Sequence, residues 1–366
     1  MLSFLEDGRG SVLMKTATLK KTIATFRSVI SYNNIRAITD LVEMYSADGV
    51  LHLGSTDNRT TIIATVPNET NFDNVIVSIN FLNNLLKLTT SEEVTLNVIE
   101  KVRKKDSIKF LEFKGNGKFT IPLQYDENGE EFYLPLFMPE HDIQYAINKK
   151  DFDTMIKRNK FSILESEDSL NLYHFEKDKV ITTDSFVISC TNYDSNSVRD
   201  IPSNVMTVFS NISSDFYLSF VEDGVRMSCE NCEIFTQYKK KESFPLEVVS
   251  PFLQDTDYIA SFSVNKKELV QALKRQHLFK LAYENPSVII DIGANITLQN
   301  KQESTKEELN IINYQHNKHT QVTFNTDVLI EVLKNMEETI DFYVNEETAK
   351  LVDNYGFYII SVADTM

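Results

Sequence analysis

The chain has 366 residues, too many for one ordinary hydrophobic core and enough for two or three domains. Hydrophobic residues make up 42% and charged residues 25%, a soluble globular balance, and no apolar run approaches the roughly 20 residues that cross a bilayer. The net charge of −16 argues against nucleic-acid binding unless positive charge is concentrated locally.

Residues 1–13 carry acidic charge where a signal peptide would be basic, and we interpret them as an N-terminal extension. From residue 14 the pattern of apolar residues predicts one unit repeated three times: a strand, a helix, several strands, a second helix and further strands. The predicted units span residues 14–127, 128–254 and 255–366. Polar segments at both joins are typical of linkers.

Two local repeats support this division. The segment Asn148-Lys-Lys-Asp-Phe152 returns 117 residues later as Asn265-Lys-Lys-Glu-Leu269, and both continue with apolar residues at helical spacing. The segment Val77-Ser-Ile-Asn80 returns 245 residues later as Val322-Thr-Phe-Asn325, before a second leucine-rich helix. Repetition of this regularity indicates architecture rather than an active site.

The first helix of each unit is basic. Residues 15–31 carry a charge of +4, residues 149–161 carry +3 and residues 266–280 carry +4, so the remainder of the chain carries −27. Pairs of bases seven residues apart lie two turns apart on one helical face, separated by about 10.5 Å. The alternative is an ordinary solvated helix face, but the recurrence in three units of an otherwise acidic chain favours a positive surface built by these helices. Its candidates are Lys20 with Arg27, Lys150 with Lys157, Lys267 with Lys274, and more weakly Lys87 and Lys334 on the second helices.

The three cysteines are too few for a disulfide framework and favour a reducing, cytoplasmic compartment. Cys229 and Cys232 have CxxC spacing, but no second pair completes a zinc site, so a hairpin position is favoured over a metal or redox role. No phosphate-binding loop, nucleophile elbow or zinc-protease motif occurs, and we predict no catalytic residues, no metal and no cofactor. The remaining alternative is a structural or assembly protein built from repeated β-rich domains.

Several segments, in this order, resemble the β subunit of bacterial replicative DNA polymerase, the sliding clamp. They are Ile181-Thr-Thr-Asp-Ser-Phe-Val-Ile188, Glu242-Ser-Phe-Pro245 with Pro251, Leu269–Leu273, Phe324-Asn325 with the helix after it, and Tyr358–Val362. Two departures from the family pattern indicate a divergent clamp, for example from a phage: Ser185-Phe186-Val187 replaces a small-His-Arg triplet, and Ala363–Met366 lacks the usual ending.

The resemblance implies an α+β fold of three clamp domains, with helices lining a ring and sheets forming its outside. The candidate bases named above would then face DNA in the hole of the ring. It implies a head-to-tail homodimer that encircles duplex DNA and tethers DNA polymerase and clamp loader through short linear peptides, away from any membrane. The implied dimer contact joins Phe119 and Ile121 to Leu278 and Phe279. The implied peptide pocket is lined by Leu170, Thr183, Ser185, Val187, Ile188, Pro245, Val248, Val249, Ile360 and Val362, with Asn325 and Val328 at its rim.

Overall fold

The computed structural model describes residues 10–30, 37–68, 70–103, 106–126, 128–140, 144–195, 197–238, 242–254, 257–279, 286–300, 305–316 and 318–362. Within these ranges the chain forms seven α-helices and 25 strands, so the predicted α+β class is confirmed. The elements occur in three successive sets. Each set has a strand, a helix, a group of strands, a second helix and three final strands.

The first set has helices α1 (Thr16–Val29) and α2 (Ile79–Leu88). Its strands are β1 (Ser11–Lys15), β2 (Leu41–Ala47), β3 (Val50–Thr56), β4 (Thr60–Pro67), β5 (Val75–Ser78), β6 (Glu93–Arg103), β7 (Asp106–Lys114) and β8 (Lys118–Pro122), with a 3₁₀ turn at Ala37–Asp40. Because β1 begins at Ser11, the repeated unit takes in the last residues of the predicted extension.

The second set has helices α3 (Lys149–Asn159) and α4 (Ser203–Ser210). Its strands are β9 (Tyr145–Ile147), β10 (Leu172–Phe175), β11 (Lys179–Thr183), β12 (Val187–Asn192), β13 (Arg199–Pro202), β14 (Phe216–Val221), β15 (Gly224–Cys229) and β16 (Cys232–Gln237), with a 3₁₀ turn at Lys160–Ser162. A connecting helix, α5 (Leu246–Leu253), follows β16.

The third set has helices α6 (Lys266–His277) and α7 (Thr326–Lys334). Its strands are β17 (Ala260–Asn265), β18 (Ser287–Ile292), β19 (Ile296–Asn300), β20 (Lys306–Glu308), β21 (Ile311–His316), β22 (Thr320–Asn325), β23 (Thr339–Val344), β24 (Thr348–Asp353) and β25 (Gly356–Ser361).

The strands form four antiparallel sheets. Their orders are β1-β6-β7-β8, β5-β2-β3-β4-β16-β15-β14-β9, β13-β10-β11-β12-β25-β24-β23-β17-β21 and β20-β19-β18-β22. The two long sheets each join strands of successive repeats, through β4 with β16 and through β12 with β25.

The chain divides into two compact units. Unit 1 comprises residues 1–149 and 207–239, and unit 2 comprises residues 150–206 and 240–366, so the middle repeat contributes strands to both. The predicted joins near 127 and 254 fall between elements, after β8 and after α5. No helix in the described part of the chain is long and apolar enough to span a membrane.

The helices form because their apolar residues recur at helical spacing and their other faces are polar. In α6 the buried face carries Leu269, Ala272 and Leu273, and Asn265 caps the first turn by accepting from the backbone N–H of Lys267. Each large apolar side chain buried in this way contributes about 1.5–3 kcal/mol. The bases between these positions are left on the outer face.

Unit 2 contains a buried ion pair at the end of α3. The Arg158 and Asp353 side chains are 2% and 0% exposed, and Nη1 lies 2.8 Å from Oδ2. The Arg158 guanidinium also donates to the Asn335 carbonyl and lies 4.9 Å from the Tyr358 ring centroid. Asp353 ends β24 at the two-residue turn into β25. Arg158 therefore fills the space between its helix and this hairpin.

Candidate DNA-facing helices and partner pocket

One lysine in each repeat bonds to the C-terminal end of a second helix. The Lys20 ammonium donates to the Thr89 carbonyl at 2.7 Å, and Lys149 donates to the Ser210 carbonyl at 3.0 Å. Lys266 donates in the same way to Met336, just after α7. The last carbonyls of a helix carry partial negative charge and have no partner within the helix, so a lysine there stabilises both helices of the pair.

These contacts reduce the positive charge that the basic helices present to solvent. Lys20 is half-buried and bonded, and Arg158 is neutralised by Asp353. Lys280, which contributed to the predicted charge of the third segment, lies outside the described residues. The exposed members of the predicted DNA-facing set are Arg27, Lys87, Lys150, Lys157, Lys267, Lys274 and Lys334. The Lys334 Nζ lies 2.7 Å from the Glu331 Oε2.

The turn between β11 and β12 is built by local hydrogen bonds. The Asp184 carboxylate accepts from the N–H groups of Phe186 and Val187, at 2.9 and 2.7 Å. The Thr183 hydroxyl accepts from the N–H of Ser185, whose φ is +78°. A side chain at this φ is strained, which accounts for the small residue between Asp184 and Phe186.

Strand β25 lies beside this turn and brings the predicted pocket residues from two distant segments together. Val187 is directly opposite Ile360, and Ile188 is opposite Ile359. The Ser361 N–H donates to the Phe186 carbonyl at 3.1 Å. This pairing occurs within unit 2.

The pairing also separates the predicted pocket residues onto two faces of the sheet. Val187 and Ile360 belong to the core that includes Phe342 and Leu351, and Val328 and Val362 pack against it. On the other face, Ile188 packs with Val249 of α5. The predicted pocket residues therefore lie on both faces of the sheet around the β12–β25 pair.

Exposure distinguishes pocket residues that a partner could touch from those that support the fold. Leu170, Thr183, Val187, Val249 and Ile360 are buried. The half-buried or exposed members are Ser185, Ile188, Pro245, Val248, Asn325, Val328 and Val362. The Asn325 side chain accepts from Asp327 and Val328 N–H, so it caps α7 as well as lying at the predicted rim.

Phe186 was not among the predicted pocket residues, yet it is 70% exposed beside Ser361. Because Phe186 is exposed on a turn that Asp184 holds in place, its ring is accessible to an apolar partner. The signal in the sequence was its place inside the Ile181–Ile188 motif, where it stands in the position of the family's histidine.

Three of the four predicted dimer residues are exposed. Phe119 on β8 is 43% exposed, and Leu278 and Phe279 after α6 are 79% and 53% exposed. Ile121 is only 1% exposed, because it points into the core of unit 1 from the same strand. In the described part of the chain, no group of three or more His, Cys, Asp or Glu side chains is placed to hold a metal ion.

Comparison with solved structures places this architecture among the sliding clamps. The chain has the fold of bacterial DNA polymerase III β subunits, and 350 solved chains match it. The β subunit of Streptococcus pyogenes is 17% identical with a TM-score of 0.81, over 97% of this chain and 100% of that one. The sliding clamp of Bacillus subtilis is 15% identical with a TM-score of 0.78, over 97% and 99%. At the level of sequence, no protein-family model and no curated protein matches the chain.

The contact between Lys20 and Thr89 generates a test of which bases are structural. We expect Lys20→Gln to lower the free energy of unfolding by about 1–2 kcal/mol, because a charged donor at a helix end is lost. Arg27→Gln, at an exposed position of the same helix, should change it by less than about 0.5 kcal/mol. Urea unfolding monitored by circular dichroism measures both, and equal values for the two variants would contradict the assignment.

Proposed function

We propose that the protein is a DNA sliding clamp: a non-catalytic processivity factor that closes around duplex DNA as a homodimeric ring and tethers replication proteins. The observation that carries this proposal is the pattern of strand pairing between repeats. Strand β4 of the first repeat pairs with β16, the last strand of the second. Strand β12 of the second repeat pairs with β25, the last strand of the third.

The third member of this series has no partner within the chain. By position, β20 of the third repeat corresponds to β4 and β12, and β8 of the first repeat corresponds to β16 and β25. Both are edge strands of four-stranded sheets. Edge strands offer unpaired backbone groups to another chain. Pairing β20 of one copy with β8 of a second, and the reverse, repeats the two joins already present and closes after two copies.

Side chains at these edges support the same contact. Phe119 on β8 and Leu278 with Phe279 beyond α6 are exposed apolar residues, which are costly on a monomer's surface but suited to an interface. The boundaries proposed for the three clamp domains are residues 14–127, 128–254 and 255–366, with the first extended back to Ser11, where β1 begins.

The exposed bases of α1, α3 and α6 would then face enclosed DNA. A lining of separate, solvated lysine and arginine side chains attracts phosphates without fixing the ring at one position. The acidic remainder of the chain discourages DNA from binding elsewhere. Topological enclosure, rather than affinity, would hold the ring on DNA.

The surface around the β11–β12 turn is the proposed docking site for a short peptide of a polymerase or clamp loader. Phe186 and Val362 supply accessible apolar surface there, next to the buried pair Val187 and Ile360, and Val248 is exposed on α5, which packs on the other face of the sheet. Peptides commonly bind such sites through one or two buried anchor side chains. Loss of the family's histidine and arginine makes this surface less basic and favours aliphatic and aromatic anchors.

The first test concerns the ring interface. Phe119→Asp should convert a dimer to a monomer in sedimentation velocity at micromolar concentration, since it places a charge in the apolar contact. Phe81→Asp is the matched control, because Phe81 is also an exposed phenylalanine of unit 1 but lies on α2. A parent protein that stays monomeric at high concentration, or two variants that behave alike, would contradict the proposed interface.

The second test concerns loading onto DNA. The triple variant Lys150→Glu, Lys157→Glu, Lys274→Glu should load onto nicked circular DNA about tenfold less efficiently, because each reversed charge replaces an attraction by a repulsion while the ring is being placed around the duplex. The control has the same change in net charge at exposed positions outside the helices: Arg59→Glu, Lys177→Glu, Lys318→Glu. Equal loading efficiency of the two triple variants would count against a basic lining.

The third test concerns the peptide pocket. Val362→Asp, and separately Phe186→Ala, should weaken binding of a Gln-x-x-Leu-Phe-type peptide by about 1–3 kcal/mol, or roughly 5- to 150-fold. Val198→Asp is the control, since Val198 is 63% exposed in the same unit and lies outside the proposed pocket. Fluorescence polarisation measures the affinity. Unchanged binding by both pocket variants, with unchanged melting curves, would place the partner site elsewhere.

A further inference from the structure

Unit 1 contains a cavity of about 380 Å³ that the proposed clamp function does not use. Helix α1, strand β4 and the β15–β16 hairpin form its walls. The residues that matter for its chemistry are Lys21, Thr25, Ser214, Cys229, Glu230 and Cys232. Two thiols therefore lie in the wall of one cavity.

The cavity exists because a large side chain present in the next repeat is missing here. Thr25 is the tenth residue of α1, as Arg158 is the tenth residue of α3. Arg158 reaches Asp353 at the two-residue turn that ends β24. Cys229 holds the corresponding place, at the two-residue turn that ends β15. With threonine in place of arginine and cysteine in place of aspartate, the space between helix and hairpin stays open.

The two cysteines are directly opposite each other across that turn. The Cys229 thiol donates to the Cys232 carbonyl oxygen at 3.4 Å, and both cysteines are partly exposed. Opposite residues of an antiparallel pair have Cα atoms about 4.5–5.5 Å apart, which is inside the range that a disulfide spans. The Cα separation of such a pair is therefore compatible with a disulfide.

The hydrogen bonding around Cys229 favours its thiolate. Donation from the Cys232 thiol, with further bonds from the Asn231 backbone and Ser214, lowers the pKa of Cys229 to about 6, against the opposing effect of burial. The same bond raises the pKa of Cys232. The charged side chains that line the cavity are Lys21 on α1 and Glu230 in the turn. Cys229 therefore ionises more readily than an ordinary cysteine, whereas Cys232 stays protonated.

We propose that Cys229 and Cys232 form a thiol–disulfide exchange site whose substrate is a low-molecular-weight disulfide admitted by the cavity. The Cys229 thiolate attacks one sulfur of the substrate, forms a mixed disulfide and releases the other half as a thiolate. Cys232 then loses its proton and attacks the Cys229 sulfur, which releases the second half as a thiol and leaves a Cys229–Cys232 disulfide. The protein is oxidised by two electrons, and the substrate is reduced to two thiols.

The chemistry can be tested with bis(2-hydroxyethyl) disulfide at pH 6, followed by intact-mass spectrometry. At this pH about half of a thiol of pKa 6 is thiolate, against about 0.3% of an ordinary cysteine. The lower nucleophilicity of the low-pKa thiolate offsets roughly a factor of ten of that gain. We therefore expect Cys229 to react about tenfold faster than N-acetylcysteine amide and the parent to lose two thiols.

Variants separate the two steps. Cys232→Ser should stop at the mixed disulfide, whereas Cys229→Ser should react far more slowly than the parent. Cys190 is the internal control, because it is 1% exposed and burial raises its pKa to about 12. A reaction in Cys229→Ser as fast as in the parent, or a parent that keeps the mixed disulfide without closing, would overturn the proposal.

The role of the cavity has its own test. Thr25→Arg imitates Arg158 and should slow the reaction of Cys229 with the disulfide about tenfold while leaving three thiols titratable after unfolding. Ala24→Arg is the matched control, because Ala24 is an exposed neighbour on α1 that does not line the cavity. Equal rates for the two variants would show that the cavity is not the route of entry. Neither test depends on the ring, since both read only the thiols.

Discussion

Backbone pairing between the end of one repeat and the side of the previous one is the interaction on which the rest of this structure depends. The joins β4–β16 and β12–β25 bury hydrogen-bonding groups that would otherwise remain at open sheet edges. They also bring the β11–β12 turn to the last strand, which creates the surface around Phe186 and Val362. Because β8 and β20 remain as edges, the same interaction is the basis for the proposed homodimer.

The basic residues of the repeated helices fall into two groups according to where they lie in the structure. Some bases of the repeated helices are used internally: Lys20, Lys149 and Lys266 bond to the ends of second helices, and Arg158 is paired with Asp353. The others remain on exposed helix faces in an otherwise acidic chain. In the proposed clamp, the bonded lysines stabilise the helix pairs and the exposed bases remain available for weak contacts with DNA phosphates.

The three repeats share the order of their helices and strands but differ in the side chains at equivalent positions. At the tenth residue of the first helix the chain has Thr25, Arg158 and Arg275 in turn. Arg158 makes a buried ion pair, Arg275 bonds to Glu307 on the edge strand β20, and Thr25 leaves a cavity beside two thiols. Divergence within a repeated fold has therefore produced a packed junction, an exposed ion pair and a candidate reactive site from equivalent positions.

The sequence by itself determined the repeats, the α+β class, the basic helices and the order of motifs that resembles a clamp. These features are local, because helical spacing and short motifs can be counted along the chain. It also placed Cys229 and Cys232 in a hairpin. Tertiary structure decided which bases are exposed, since the partners of Lys20 and Arg158 lie 69 and 195 residues away. It likewise put Ile121 in the core, left Phe186 exposed and opened the cavity beside Thr25. Side-chain burial depends on contacts between distant segments, and a single sequence records those contacts only indirectly.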